Sequence, residues 1–143
     1  MKTVLLVEDN SDDAFLLQKA LLSAGVHHFS RVVGDGQAAI DYLAGNGPYQ
    51  NRKKYPLPML VFLDIKLPKL DGLEVLRWLR SQPAFKMLPV IMLTNSCLSA
   101  DVKRAQDLGV TSYMLKDPDW QRFRESIEHA LSYWFEEQPI ERA

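Results

Sequence analysis

The sequence has few of the residues that build several common kinds of functional site. It contains one cysteine, Cys97, which excludes an internal disulfide and a zinc site made from cysteines. No apolar run approaches the roughly 20 residues that span a bilayer, and the N-terminus lacks the pattern of a secretory signal. Lysine and arginine number 17 against 18 acidic residues, so the basic surplus typical of nucleic-acid-binding proteins is absent. These absences predict a cytoplasmic protein that binds neither nucleic acid nor a membrane.

The length and composition indicate one globular domain. The chain has 143 residues, of which 47% are hydrophobic and 24% are charged, and this is ordinary for one folded domain. It shows no internal repeat and no low-complexity segment, and only residues 138–143 follow the last predicted helix. We therefore expect a single domain over residues 1–143 with no separate output domain.

Short apolar segments alternate with amphipathic segments along the chain. The predicted strands are Thr3–Val7, Phe29–Val33, Met59–Leu63, Val90–Leu93 and Ser112–Leu115. The predicted helices begin near Ser11 and Gln37, surround Leu73–Leu79, and cover Ser99–Leu108 and about Asp119–Glu137. Strands that are apolar without alternation are buried on both faces. The pattern is typical of an α/β protein, in which helices cover both faces of a parallel sheet.

The longest interruption in this pattern is the segment Ala44–Pro58, which contains several glycines and prolines. It is long for a connection inside a compact domain, so we expect either a binding loop or a tolerated insertion. Its basic cluster, Arg52-Lys53-Lys54, is expected to be exposed to solvent.

Polar residues stand at the carboxyl ends of four predicted strands that we expect to be buried. Glu8 and Asp9 follow the first strand, and Asp64 follows the third. Thr94 follows the fourth strand and Lys116 the fifth. In open parallel sheets, ligands bind in the crevice beyond these ends. We therefore expect the side chains to converge on one shallow cleft.

This set of side chains suits phosphoryl transfer. Three neighbouring carboxylates repel one another and need a cation, and oxygen ligands without histidine or cysteine favour Mg²⁺. A carboxylate beside Mg²⁺ can attack phosphorus and form an aspartyl phosphate. The lysine ammonium and the threonine hydroxyl would then hold the phosphoryl oxygens.

Four segments in this order make the chain resemble the receiver domain of two-component response regulators over nearly its whole length. The segments are Val4–Asn10, Asp64–Gly72, Leu93-Thr94 and Tyr113–Lys116. The resemblance implies a flavodoxin-like (βα)5 fold of three layers, with a five-stranded parallel sheet in the order 2-1-3-4-5. It also implies a signalling protein and not an enzyme, since such a domain catalyses only its own phosphoryl transfer and dephosphorylation.

The resemblance assigns roles to the acidic residues at the strand ends. Asp64 would be the phosphoacceptor, which receives its phosphoryl group from a sensor histidine kinase. Glu8 and Asp9 would bind Mg²⁺ together with Asp64. The backbone carbonyl of Lys66 would be a further metal ligand.

Three further roles follow from the same resemblance. Thr94 would be the switch hydroxyl, Lys116 the cation that pairs with the phosphoryl group, and Tyr113 an aromatic rotamer switch. Receivers usually follow this lysine directly with proline, whereas here Asp117 stands between Lys116 and Pro118. A cis bond before a residue other than proline costs about 2.5–4 kcal/mol, so we expect the Lys116–Asp117 bond to be trans.

Two other functions share parts of this pattern. A phosphatase of the haloacid dehalogenase type also places a nucleophilic aspartate at a strand end. It needs a second acid two residues later, where this chain has Lys66. A flavin-binding flavodoxin shares the fold but needs a hydroxyl-rich phosphate loop after the first strand, where Glu8 and Asp9 would repel a phosphate.

Finer features of the sequence concern the kinase. The long segment Ala44–Pro58 and the sequence Gly34–Ala38 are similar to the small stand-alone receivers that serve bacterial phytochromes, which are light-sensing histidine kinases. The first helix has Phe15, Leu16 and Ala20 beside its inward row, more apolar residues than one buried face needs. We expect the kinase to dock near this helix, because its phosphohistidine must approach Asp64 in line.

The last helix carries more large aromatic residues than one buried face needs. Its predicted buried face consists of Phe123, Ile127, Ala130, Leu131 and Trp134. Trp120, Tyr133 and Phe135 fall on other faces of the helix. Aromatic residues are enriched at the centres of interfaces, and many receivers pair through their fourth and fifth helices. We therefore expect a homodimer through the C-terminal half.

Overall fold

Five short apolar segments form one parallel sheet in the computed structural model, which describes residues 3–24, 29–95 and 99–136, without the side chains of 29, 99 and 133–136. The strands are β1 (Thr3–Val7), β2 (Phe29–Val33), β3 (Leu60–Asp64), β4 (Val90–Thr94) and β5 (Ser112–Leu115). Their order is β2-β1-β3-β4-β5, and every neighbouring pair is parallel. This confirms the flavodoxin-like order that the resemblance implied.

Helices follow the strands as the sequence predicted. They are α1 (Ser11–Ser23), α2 (Gly36–Ala44), α3 (Gly72–Ser81), α4 (Ser99–Asp107) and α5 (Trp120–Glu136). Asn10, Asp35 and Asp71 precede the first three, and each side chain accepts a hydrogen bond from a backbone N–H of the first turn. These N-caps satisfy donors that the helix itself leaves unpaired, which fixes where each helix begins. None of the described helices is both long and apolar enough to cross a bilayer.

The sheet separates two hydrophobic cores. In β1, Leu5 and Val7 contribute to the core under α2, α3 and α4, whereas Val4 and Leu6 contribute to the core under α1 and α5. Alternate residues of a strand point to opposite faces, so a strand covered on both sides must be apolar throughout. This explains the unbroken apolar runs in the sequence and confirms the three-layer arrangement.

The expectation that β5 is buried like the other strands is wrong. Ser112, Tyr113 and Leu115 are exposed among the described residues, because β5 pairs with β4 alone and forms an edge of the sheet. Two other predicted strands ended one residue too early: Asp64 and Thr94 belong to β3 and β4. The polar residues are therefore held by the ladder hydrogen bonds of the sheet itself.

The segment Ala44–Pro58 has an ordered conformation. The guanidinium of Arg52 donates to the carbonyl oxygens of Tyr42, Leu43 and Tyr55 at 2.7, 2.8 and 3.3 Å, and a 3-10 turn covers Gly47–Gln50. The rings of Tyr42 and Tyr55 lie 5.9 Å apart, edge to face. The predicted exposure is right for Lys53 and Lys54 and wrong for Arg52, because its guanidinium is drawn in to bind carbonyl oxygens at the end of α2.

Candidate functional site

The acidic side chains that the sequence singled out lie together at the carboxyl edge of the sheet. Glu8 follows β1 and is 3% exposed, and Asp64 ends β3 and is 4% exposed. Carboxylate oxygens of Glu8, Asp9 and Asp64 all lie within 4.8 Å of one another. The central strands β1 and β3 are direct neighbours in the sheet, which brings these carboxylates to one point.

Lys116 places its ammonium group inside this cluster. Its Nζ lies 2.8 Å from Asp64 Oδ2 and also contacts Glu8 Oε1. The backbone N–H of Lys116 donates to the Thr94 carbonyl at 2.7 Å, so the end of β4 fixes the position of the Lys116 backbone. Burial alone would lower the pKa of Lys116, but the hydrogen bonds and charges of Asp64 and Glu8 outweigh it and raise that pKa above its ordinary value. The side chain therefore stays a cation at neutral pH.

The contact with Lys116 does not fully compensate for the burial of the Glu8 carboxylate. Burial raises the pKa of Glu8 to about 7, although hydrogen bonds from Lys116 and from the Asn10 N–H act in the opposite direction. Glu8 Oε2 accepts from Asn10 N at 3.1 Å, whereas Oε1 contacts the Lys116 ammonium and has no other partner among the described residues. A buried carboxylate in this condition favours a bound cation.

The donor set fits a hard divalent cation. It consists of carboxylate oxygens from Glu8, Asp9 and Asp64, without sulfur or imidazole ligands in the described cluster. Oxygen ligands of this kind suit Mg²⁺ and Mn²⁺, and the exposed position of Asp9 leaves room for the water molecules that Mg²⁺ retains.

The other residues singled out by the sequence lie at different distances from the cluster. Lys66 donates its backbone N–H to Asp64 Oδ1 at 3.3 Å. Thr94 is 6% exposed at the end of β4, next to Asp64 in the sheet order. Tyr113 is 38% exposed and pairs in register with Met92, two residues before Thr94, so its position lies back from the edge. The roles assigned to these residues stay predictions.

The loop between β3 and α3 is held tightly at both ends. Gly72 N donates to the Ile65 carbonyl at 2.8 Å, and a Cβ at Gly72 would lie 2.2 Å from the carbonyl oxygen of Asp64. Near the α3 end of the loop, a Cβ at Gly36 would lie 2.0 Å from the Leu70 carbonyl oxygen. Only glycine allows these approaches, so the backbone around Asp64 depends on both positions.

The structure adds one residue that the sequence analysis missed. Asp13 Oδ2 lies 3.2 Å from Lys116 Nζ, in the first turn of α1. The available signal was its position: Asp13 falls in the first turn of the helix that directly follows Glu8 and Asp9. Acids in a first helical turn are common because they complement the helix dipole, which hid this signal.

A cavity of about 230 Å³ opens beside the cluster, between α1 and the segment that joins β5 to α5. Leu16, Trp120 and Phe123 line its apolar part, and Lys116 stands at its polar end.

No cis peptide bond occurs in the described segments, so the bond between Lys116 and Asp117 is trans as expected.

Comparisons with known proteins agree with this geometry. Residues 4–128 match the family described as the response regulator receiver domain. Response regulator Rcp1 of Synechocystis sp. is 36% identical over 135 residues, which cover 94% of this chain and 90% of Rcp1. The crystal structure of the phosphorylated cyanobacterial phytochrome response regulator RcpA is 36% identical, with a TM-score of 0.86 and 93% of each chain covered.

A third comparison concerns the metal. The crystal structure of the Mn²⁺-bound form of Rcp1 is 35% identical, with a TM-score of 0.86, and covers 95% of this chain and 96% of that chain. The phosphatase and flavodoxin alternatives gain no support from these matches. From its sequence, its fold and the residues at the carboxyl edge of its sheet, the chain belongs to the response regulator receiver domains.

Proposed function

We propose that the chain accepts a phosphoryl group from a sensor histidine kinase onto Asp64 and then changes the contacts it makes with other proteins. The observation that carries the proposal is the buried Asp64 carboxylate, which contacts the Lys116 ammonium and lies within 4.8 Å of carboxylate oxygens of Glu8 and Asp9. In the reaction, an Asp64 oxygen forms a bond to phosphorus while the bond from phosphorus to the kinase imidazole nitrogen breaks. The electron pair of the broken bond stays on the imidazole.

The metal of this site is proposed to be Mg²⁺, bound by Glu8, Asp9, Asp64 and the backbone carbonyl of Lys66. When bound, Mg²⁺ neutralises charge that develops on the phosphoryl oxygens. Lys116 supplies a second positive charge beside Asp64 Oδ2, and its pKa keeps it protonated at neutral pH. After transfer, the Thr94 hydroxyl binds a phosphoryl oxygen. The Tyr113 ring then changes its rotamer in response.

The kinase is proposed to be a phytochrome. Support comes from the similarity to RcpA, a phytochrome response regulator, over 93% of this chain. The match to Rcp1 covers 90% of that protein, which supports a receiver that acts as a single domain through protein contacts. Because sensor kinases make phosphohistidine from cytoplasmic ATP, we assign the protein to the cytoplasm.

Incubation with acetyl phosphate and Mg²⁺ tests the reaction: one phosphoryl group, labile in acid and in base, should appear in the intact mass.

The kinase is expected to dock on the outer side of α1 next to the strand ends. Phe15 is 63% exposed and Leu16 is 38% exposed, and Leu16 also lines the cavity beside Lys116. Ala20, which the sequence analysis counted with these two, is wholly buried and belongs to the core. Leu16→Glu should slow phosphotransfer from the kinase roughly tenfold or more, because a charge would enter an apolar contact. Phosphorylation by acetyl phosphate should stay near the wild-type rate.

Leu22→Glu is the matched control for this prediction. Leu22 is 72% exposed on the same helix, about 9 Å further from the strand ends along its axis. The variant should leave both phosphorylation rates unchanged. If Leu16→Glu slowed both donors equally, or if Leu22→Glu slowed the kinase as much, docking at this place would be wrong.

The protein is further proposed to form a homodimer through its C-terminal half. The aromatic residues of α5 support a dimer less than the sequence implied. Trp120 packs against the hydrophobic core of its own chain, and Lys19 Nζ lies 5.0 Å from the centre of its ring. The side chains of Tyr133, Trp134 and Phe135 lie outside the described residues. The β5 edge supports the proposal instead, because Leu115 is 38% exposed there.

Light scattering at micromolar concentration tests the dimer. Wild type should scatter as a dimer, at twice the monomer mass of 16.4 kDa, at least after phosphorylation. Leu115→Glu should give a monomer, because a charge on the β5 edge opposes pairing. Val32→Glu is the control, since Val32 is 41% exposed on β2, the opposite edge strand, and this variant should stay dimeric. A monomer for wild type in both states would contradict the dimer.

A further inference from the structure

The ammonium group of Lys116 competes with the proposed metal for the same carboxylates. Its Nζ lies 2.8 Å from Asp64 Oδ2 and against Glu8 Oε1, and both residues belong to the proposed metal-binding set. Two cations on neighbouring oxygens repel each other strongly in a partly buried site. Metal binding therefore requires Lys116 to weaken its contacts with Glu8 and Asp64.

Asp13 offers the ammonium a partner that the metal does not use. Its Oδ2 lies 3.2 Å from Lys116 Nζ, and its side chain is 41% exposed while that of Lys116 is 11% exposed. Asp13 does not belong to the group of carboxylates that meet within 4.8 Å. It is held in place because its backbone N–H donates to the Asn10 side chain at 3.0 Å and because its helix is anchored by buried neighbours such as Leu17.

We propose that Asp13 is a positioning residue that retains the Lys116 ammonium at the edge of the site when a divalent cation binds Glu8 and Asp64. The inference rests on the proposed function and adds to it a residue outside the metal-binding set. With Asp13 present, Lys116 keeps an ion pair as the cation enters, and it stays close enough to Asp64 to meet a phosphoryl oxygen. Without Asp13, metal entry leaves the ammonium without a carboxylate partner, so the metal binds less tightly.

Calorimetric titration with Mg²⁺ tests this inference. Asp13→Asn should raise the dissociation constant for Mg²⁺ about two- to fivefold, which is what one partly exposed ion pair contributes. Asp13→Glu, which keeps the charge, should restore most of the affinity. Asparagine matches the shape of aspartate, and unfolding curves recorded in EDTA will show whether each variant is folded.

A simple loss of negative charge near the site would also weaken Mg²⁺ binding, and two controls separate that effect. Asp12→Asn removes the same charge from the neighbouring exposed position of α1 and should leave the dissociation constant unchanged. In a Lys116→Met background, Asp13→Asn should have no effect on Mg²⁺ affinity, because the partner through which Asp13 acts is gone.

The outcomes distinguish this inference from the proposed function. An equal effect of Asp12→Asn, a persistent effect of Asp13→Asn in the Lys116→Met background, or no effect at all would overturn the role of Asp13 alone. A wild-type protein that neither binds Mg²⁺ nor accepts phosphate from acetyl phosphate would overturn both.

Discussion

Asp64→Asn is expected to abolish phosphorylation by the kinase and by acetyl phosphate alike. The amide has no anionic oxygen to attack phosphorus, whereas its shape preserves an acceptor for the Lys66 N–H, which donates to Asp64 Oδ1 at 3.3 Å. Intact-mass measurement after incubation with acetyl phosphate and Mg²⁺ gives the result directly. Wild type should gain one phosphoryl group and the variant none.

Asp107→Asn is the control for the loss of one acid. Asp107 lies at the end of α4 with an exposed side chain, 3.9 Å from Lys103. Exposed ion pairs of this kind contribute little to stability, so this variant should be labelled like wild type. If the Asp64 variant were still labelled, the phosphoacceptor would be another residue and the proposed roles of Glu8, Asp9 and Lys116 would lose their basis.

Gly72→Ala is expected to destabilise the folded protein strongly. The added Cβ would lie 2.2 Å from the Asp64 carbonyl oxygen and 2.9 Å from Ile65 Cα, and backbone atoms cannot move aside as flexible side chains can. Such overpacking costs about 2–3 kcal/mol, which lowers the melting temperature by roughly 5–10 °C. Because the displaced atoms belong to Asp64 and its neighbour, phosphorylation by acetyl phosphate should slow as well.

Gly34→Ala provides the comparison. No atom lies within 4 Å of a Cβ built at Gly34, and this glycine does not require a positive φ angle. The variant should therefore melt within about a degree of wild type and be phosphorylated at the same rate. A Gly72→Ala protein as stable as Gly34→Ala would show that the backbone after β3 can relax, contrary to the close approach described above.

The sequence predicted those parts of the structure that depend on local chemistry. The unbroken apolar run Val4–Val7 favours a strand that is covered on both faces, and this places β1 in the interior of the sheet. Glu8 and Asp64 were predicted to meet because the carboxyl ends of parallel strands share one edge, and β1 and β3 are neighbours in the structure. The structure adds side-chain caps at Asn10, Asp35 and Asp71, which are residue types that favour helix starts.

The sequence failed where a residue's environment depends on distant segments. β5 has the apolar residues of a buried strand, but its position at the sheet edge leaves Tyr113 and Leu115 exposed. Arg52 was predicted to be solvated because its neighbours in the sequence are lysines. Its partners are carbonyl oxygens at the end of α2, and only the fold brings them to it. Asp13 is an ordinary acid of a first helical turn until the fold brings Lys116 to it from 103 positions further along the chain.

The way Arg52 is held has a consequence for the entropy of any association at the segment Ala44–Pro58. One guanidinium ties three carbonyl groups, and the Tyr42 hydroxyl donates to the Pro56 carbonyl at 2.7 Å, so both ends of the segment are attached to α2. The rings of Tyr49 and Tyr55, 5.0 Å apart, are already packed against each other. A molecule that binds here meets a preorganised surface, so little conformational freedom remains to be lost when the complex forms.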